Sequence, residues 1–547
     1  MLVPLQAQFK TTFRIMKSKM ILAAAFAAIS QLAFAGGILT NTNQNIAYNR
    51  MMSREASIGI DGVYYNPAGV AFLSPGHHFS FNWQTAIQSR TIENDYPLFG
   101  NNTADNSTHR KFRGKAFAPV LPSVQYAYNW RNFSFQFNGG LIGGGGKCTF
   151  DDGLGSFEKI VGETALGAVG LGCAVDQALG QQMFTSPQMF GTDGKYSFNS
   201  YMRGNSYYYG FSVGAAYKLR PNMSVFAGVR TVYATGSYYG YVRNIKVGNM
   251  PLYKVLDPTK TNSGDIELNC DQKGLGFTPI ISIDYRLGRW NFAAKYEFKT
   301  RMRLKNESVN QAPSIGNLQD NLGTAVAQNV AAQVMKQDKT QTMTQAEAMA
   351  YGLEYAKTQL SKPHVVGAMS MIKQQFDSKM TEATGEYADG VKVPADIPAL
   401  LSVGVGYNPV DPLRVNVGFH YFYDKQATAY NHREEKLKRG TMEWTAGAEF
   451  DASKRITVSA GWQNTNYGLS ETYMNDKSFV VSSNSVACGA RFHLTKRMDL
   501  NVAYFHSFYQ HKKTTDDVAL SSTQTVTYKS DYTRDNNVFG VGVDFNF

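Results

Sequence analysis

The chain has 547 residues, a formal net charge of +12, 50 glycines and 13% aromatic residues, with 34 Phe and 32 Tyr against 5 Trp; its mean hydropathy is −0.31. No apolar run of ~20 residues follows the first 35 positions, which excludes membrane-spanning helices, and no concentrated Lys/Arg block marks a nucleic-acid face. Many Tyr, Phe and Gly on a polar average suit a sheet with one face in lipid and the other in water.

The first element in chain order is an export leader. Met16-Lys17-Ser18-Lys19 is a basic n-region, Met20 to Ile29 a short apolar stretch, and Ala33-Phe34-Ala35 an A-x-A cleavage site. Residues 1–35 are therefore expected to be leader, with translation starting at Met16 and the mature chain at Gly36. Export permits disulfides among Cys148, Cys173, Cys270 and Cys488, and a Cys148–Cys173 bridge would close one loop. No CxxC or CxxCH spacing occurs, so no metal site and no cofactor is expected.

Residues 36–74 are polar and turn-rich and lack a strand pattern. They lead out through Asn66-Pro67-Ala68-Gly69, where proline fixes φ and Asn and Gly tolerate turn conformations. From residue 75 to 547 alternation dominates. Leu413, Val415, Val417, Phe419 and Tyr421 alternate with polar residues and Gly, as do Trp444, Ala446, Ala448 and Phe450, and finally Phe539 to Phe547. Period two with a water-tolerant second face is the signature of a transmembrane β-barrel.

Six short turns (129–132, 220–222, 287–289, 408–412, 451–454 and 494–496) alternate with seven long links (94–111, 148–194, 246–265, 306–394, 426–436, 470–476 and 512–522). That rhythm requires fourteen antiparallel strands, with both barrel ends on the short-turn, periplasmic side. Fourteen strands enclose more space than wall side chains fill, so residues 36–74 are expected in the lumen as a plug.

Two segments depart from plain alternation. The third strand, "FNGGLIGGGGKCTF" at Phe137 to Phe150, carries Gly139, Gly140, Gly143, Gly144, Gly145 and Gly146. Glycine weakens pairing and permits kinks, so this strand either opens the wall or ends in a flexible loop. The link 306–394 is helical in pattern: Leu322, Val326, Val330 and Val334 recur at i+4, and Thr344 with Glu347 forms a capping box. Met349, Leu353, Met369, Ile372, Phe376 and Met380 make apolar stripes there. They either offer an adaptable surface to a ligand or pack on one another as a cap.

The NPAG turn resembles the hatch of the FadL-type outer-membrane transporters. "VLPSVQYAYN" (Val120 to Asn129), "DIPALLSVGVGYNP" (Asp396 to Pro409), the Asp411-Pro412 turn and the terminal Phe547 are similar to barrel motifs of that family. The resemblance covers nearly all of the mature chain except 306–394, which is longer than the family leads one to expect. It implies an all-β, fourteen-stranded outer-membrane barrel that acts as a monomer and is not an enzyme. Its implied function is passive uptake of long-chain fatty acids or similar hydrophobic compounds. It further implies that Asn66 to Gly69 form the hatch motif and that the third-strand glycines form a lateral exit. The partners would be the hydrophobic ligand, outer-membrane lipid and lipopolysaccharide, with no nucleic acid. Alternatives are uptake of haemin or aromatic hydrocarbons, or adhesion through the long loops. His77 and His78, as neighbours in a strand, point to opposite faces and do not make one axial haem site.

Overall fold

A computed structural model describes residues 40–313, 315–338, 342–370, 373, 385–476, 479–520 and 524–547; the leader lies outside them. The described residues begin inside the barrel. Helix α1 (Ile46–Met51) is capped by the Asn45 side chain, which accepts from Ala47 N, and is stopped by Met52 at φ 58°. Helix α2 (Gly62–Tyr65) runs into the NPAG turn and a 3-10 turn at Gly69–Phe72.

Fourteen wall strands follow. They are β1 (Gly76–Asp95), β2 (His109–Trp130), β3 (Phe133–Phe150), β4 (Tyr196–Arg220), β5 (Met223–Val247) and β6 (Ile266–Leu287). Next come β7 (Trp290–Glu297, continued by Arg303–Ser308), β8 (Lys392–Pro394, continued by Leu400–Val410), β9 (Leu413–Phe422) and β10 (Thr441–Ser453). The wall ends with β11 (Ile456–Asn466), β12 (Ser483–Thr495), β13 (Met498–Tyr509, continued by Lys512–Ala519) and β14 (Thr525–Asn546). Each pairs antiparallel with its neighbours, and β1 closes on β14 from His78↔Asn546 to Asp95↔Lys529.

The burial pattern is inverted relative to a water-soluble sheet. Outward Phe81, Trp83, Phe135, Phe211, Phe277, Trp444 and Phe539 are exposed, while inward Ser80, Asn82, Gln125, Gln136 and Asn138 are buried. Alternation of this sense puts apolar side chains in lipid and hydrogen-bonding ones around the lumen. No helix among the described residues is long and apolar enough to cross a membrane.

The end opposite the short turns is closed by a cap. Helices α3 (Gly155–Leu179), α4 (Tyr253–Leu256), α5 (Leu318–Gln337) and α6 (Gln345–Leu360), with a helical stretch at 363–370, share one apolar core with loop residues Phe184, Phe190, Tyr473 and Phe479. The Thr344–Glu347 capping box is formed on both sides. Two links differ from expectation. Link 148–194 contains α3, whose pattern is diluted by Gly162, Gly167, Gly170 and Gly172, poor helix formers. Link 512–522 is mostly strand, because Lys512–Ala519 pairs with β14; only Thr514 and Val518 in it are buried, four positions apart, so no period-two alternation betrays it.

The cysteines correct another expectation. All four are free thiols, Cys148 and Cys173 among them. Cys148 faces Ala116 and Gly204 across the ladders of β3. Cys173 lies eighteen positions along α3 from Gly155, so at 1.5 Å per residue the helix carries it about 27 Å from its first turn.

Candidate functional site: a gap between two strands and the hatch behind it

Strands β2 and β3 are in register from Trp130↔Phe133 to Ser123↔Gly140, and again from Phe117↔Lys147 to Gly114↔Phe150. Between these blocks, residues 118–122 of β2 and 141–146 of β3 do not pair with each other. In lipid, unpaired backbone groups are costly, and the two edges meet this in different ways.

On β2 the unpaired stretch is Ala118-Pro119-Val120-Leu121-Pro122. Two of its five residues have no N–H to leave unsatisfied. The Pro119 carbonyl accepts from Trp83 Nε1 at 3.0 Å and Thr85 Oγ1 at 2.9 Å, where β1 is bulged between Gln84 and Ala86.

On β3 the hatch supplies partners from the lumen. Thr40 forms an antiparallel bridge with Gly143, and Asn41 N donates to Ile142 O at 2.9 Å. Asn41 Nδ2 donates to Gly144 O at 3.1 Å, and Gln44 Nε2 to Leu141 O at 2.7 Å. The other edge of β3 stays paired to β4, with irregularities at Leu141/Gly143 and Gly145/Cys148. Gly144 has φ +85°, and a Cβ there would collide with the Ser206 carbonyl. The six glycines thus divide. Gly139 and Gly140 sit in the regular ladder, and a Cβ on Gly140 would lie 2.7 Å from Gln44 Oε1. Gly143 to Gly146 lie in the gap.

Behind the gap is a cavity of about 200 Å³, lined among others by Thr40, Asn41, Tyr48, Leu121, Leu141, Gly144 and Gly146, with Glu443, Gln463 and Arg534 across the lumen. Its floor is the hatch, which is tied to the wall by polar contacts. Arg50 and Arg54 both pair with Glu449, at 2.5 and 3.2 Å, and Arg54 also grips Asp61 at 2.7 Å. His420 stands between Glu55 and Glu443 at 2.9 Å from each. Burial pushes the Glu55 carboxyl up, but the hydrogen bond and charge of His420 outweigh it and hold Glu55 below the usual range.

The NPAG turn is a backbone anchor. Asn66 Nδ2 reaches Asp284 on β6 and its Oδ1 accepts from Gly69 N. Gln136 donates to the Pro67 carbonyl at 2.7 Å, and Ser224 to the Ala68 carbonyl at 2.7 Å.

The remaining candidates scatter. In the cap, Met369 is buried in the apolar core, Met349 is partly buried against it and Leu353 is 47% exposed, while Ile372, Phe376 and Met380 lie outside the described residues. The three described side chains do not share one environment. His78 turns inward to Asn546 Oδ1 and Ser74 O, and His77 turns outward onto Tyr128 and Phe547. Gly210-Phe211-Ser212-Val213-Gly214 spells a Gly-x-Ser-x-Gly string, but it runs mid-strand in β4, paired on both sides, with Ser212 Oγ accepting from Arg230 Nε. That is not the strand-to-helix elbow of a serine nucleophile. The sequence signal for the β2 interruption is a Pro-x-x-Pro string in the middle of an otherwise alternating strand; residues 40–44 carry no such local signal.

A closed wall that is apolar outside, filled by a polar hatch and unpaired between two strands defines a plugged β-barrel of the outer-membrane type. Its fold is FadL-like. It is similar to a Pseudomonas aeruginosa FadL homologue at 13% identity and TM-score 0.56, over 94% of this chain and 100% of that one. It is also similar to the deltaS2S3 mutant of the TodX monoaromatic hydrocarbon channel at 13% identity and TM-score 0.50, over 92% and 99% of the two chains. No family model matches the chain, and no curated protein matches its sequence.

Proposed function

We propose that the protein is a passive outer-membrane channel for long-chain fatty acids. The ligand enters through the cap, collects above the hatch and leaves sideways between β2 and β3. The observation that carries this reading is the unpaired β2–β3 segment, which is covered from the lumen by residues 40–44. A shift of that short segment would connect the cavity to lipid. No energy source is needed, since transfer of a chain to an apolar medium is worth ~0.8 kcal/mol per CH₂.

The substrate class follows from what surrounds the exit. Arg113, Lys115, Lys147 and Arg203 point outward on the cap side of the gap and make no ion pair among the described residues. A chain emerging with a carboxylate meets four cations there, and a neutral hydrocarbon gains nothing from them. Passage of aromatic hydrocarbons, by analogy with the TodX monoaromatic hydrocarbon channel, is the second reading.

The test is a reversible lock. Thr40→Cys with Gly143→Cys, in a Cys488→Ser background, places two thiols at a bridged pair, within disulfide reach. Oxidised cells should lose uptake of labelled oleate and regain it with reductant. Full uptake through the cross-linked protein would reject the lateral route, and toluene uptake exceeding oleate uptake in the reduced protein would favour the second reading.

A further inference from the structure

The outward face of the wall changes character at one level. On β6 the outward residues Leu287, Tyr285, Ile283, Ile281, Phe277 and Leu275 are exposed and apolar, and the next one toward the cap is Lys273. From Leu287 to Leu275 the strand climbs roughly 30 Å along the membrane normal, at ~3.3 Å per residue and ~40° tilt, which is the thickness of the bilayer core. Lys273 therefore stands at the outer edge of the apolar band.

At that height three lysines lie in register across three adjacent strands. Lys273 is directly opposite Lys305 on β7, and Lys305 is directly opposite Lys392 on β8. All three are exposed. Directly opposite residues project from the same face, and like charges so placed destabilise a sheet. Arg303 on β7 and Arg301, just ahead of that segment, continue the set toward the membrane. The acids do not cancel it. Lys273 Nζ lies 3.0 Å from Glu307 Oε2, and Arg303 Nη1 lies 3.1 Å from the buried Asp396. Asp271 faces Glu307 one step further from the membrane. Lys305 and Lys392 have no ion pair among the described residues, and the one carboxylate on the membrane side, the buried Asp396, is already shared by Arg303 and Lys299.

We infer that this row seats the phosphoryl groups of a phosphorylated glycolipid in the outer leaflet, the barrel standing with its cap outward. Strand spacing of ~4.8 Å sets the outer two lysines about 10 Å apart. A phosphate monoester carries up to two negative charges and can bridge neighbouring ammonium groups, whereas one phosphodiester supplies a single charge to the whole row. Bound phosphate turns a repulsive row into an attractive one and fixes the barrel's height in the membrane.

The test uses the purified full chain in detergent, with bis-phosphorylated lipid A, its dephosphorylated form, phosphatidylglycerol and inorganic phosphate as separate probes. Native mass spectrometry should show bis-phosphorylated lipid A bound to wild type, and at least tenfold more weakly to Lys273→Gln/Lys305→Gln/Lys392→Gln. Millimolar inorganic phosphate should not displace it. Lys305→Gln alone should raise the unfolding midpoint without lipid, by relieving repulsion, and lower it when lipid A is present. Retention of lipid A by the triple variant, equal binding of the dephosphorylated lipid or of phosphatidylglycerol, or displacement by inorganic phosphate would each overturn the inference. Heat-modifiable migration on gels checks that the variants fold. Oleate uptake by the triple variant is expected unchanged, so this inference and the transport reading fail independently.

Discussion

Asn66 Nδ2 donates to Asp284 Oδ2 at 2.6 Å, and the same oxygen accepts Asn291 Nδ2 at 2.8 Å. The hatch turn is thus one arm of a buried fork whose other arm belongs to the wall. Asn66→Ala removes a donor to a buried carboxylate, a loss of about 1–3 kcal/mol, and leaves Gly69 N only its bond to the Asn66 backbone carbonyl. The cost should fall on the hatch alone. Hydrogen exchange of residues 40–74 should quicken about ten- to a hundredfold while the wall strands keep their protection. Equal acceleration in hatch and wall would contradict this division.

Glu449 holds two hatch arginines and Arg414 of the wall together. Glu449→Gln leaves the buried Arg50 without its counter-charge, while Arg54 keeps Asp61 and Arg414 keeps Asp451, a cost of about 3–5 kcal/mol. We predict a looser hatch and a leakier lumen, read as raised single-channel conductance in planar bilayers. Wild-type conductance in a folded Glu449→Gln barrel would show that Asp61 on Arg54 and Asn501, which accepts from Arg50 Nε at 3.2 Å, suffice.

Pro119 and Pro122 remove two N–H groups from the stretch of β2 that does not pair with β3. Pro119→Ala with Pro122→Ala restores two N–H groups to the interrupted stretch of β2, and a donor that turns to the glycine-rich edge gains a partner it lacks in lipid. The expected result is a narrower gap: oleate uptake reduced at least fivefold in a barrel as heat-resistant as wild type or more so. Undiminished uptake would mean that the gap is held open by the glycine irregularities of β3 alone.

Asp424, just beyond β9 in the cap, is buried, and its Oδ2 accepts from Thr441 N at 2.7 Å. Burial pushes its carboxyl up to about 6. A carboxyl raised above its unfolded value near 3.9 contributes fully at pH below that value, and the contribution is lost as pH rises through 6, about 3 kcal/mol in all. Asp476, which burial also raises, acts with the same sign, so the measurement must be a difference. The cap of Asp424→Asn keeps the acceptor and should gain protease resistance relative to wild type between pH 4 and 7. A pH-independent difference would assign the effect to packing.

The wall was legible in the sequence because lipid and water impose a strict period of two. Leu413 to Tyr421 or Phe539 to Phe547 need no structure to be recognised, and short turns such as Asp451 to Lys454 fixed the strand number. Legibility failed where that constraint lapses. Above the membrane, Lys512–Ala519 buries only Thr514 and Val518 and reads as loop, and α3 is disguised by its glycines. At the gap, glycine content pointed to β3, but which of the six were unpaired depended on register with β2. The contribution of Thr40, Asn41 and Gln44 joins residues about a hundred positions apart, a relation that no local pattern encodes. Cysteine spacing likewise said nothing of the helix that separates Cys148 from Cys173.

The hatch bonds to the wall all the way round: to β1 through Ser80 and Gln84, to β3 through Leu141 and Gln136, to β6 through Asp284, to β10 through Glu449, and to β13 through Asn501. These partners are spread over the whole circumference and are dispersed while the sheet is still open. The order of assembly follows. The sheet must curl around the hatch, and the seam between β1 and β14 is the step that sets all of these contacts at once. Residues 40–74 then act as a mandrel during biogenesis, and a chain without them should stall as an unsealed, protease-sensitive sheet when refolded into lipid vesicles; prompt closure of such a chain would show that the wall needs no former.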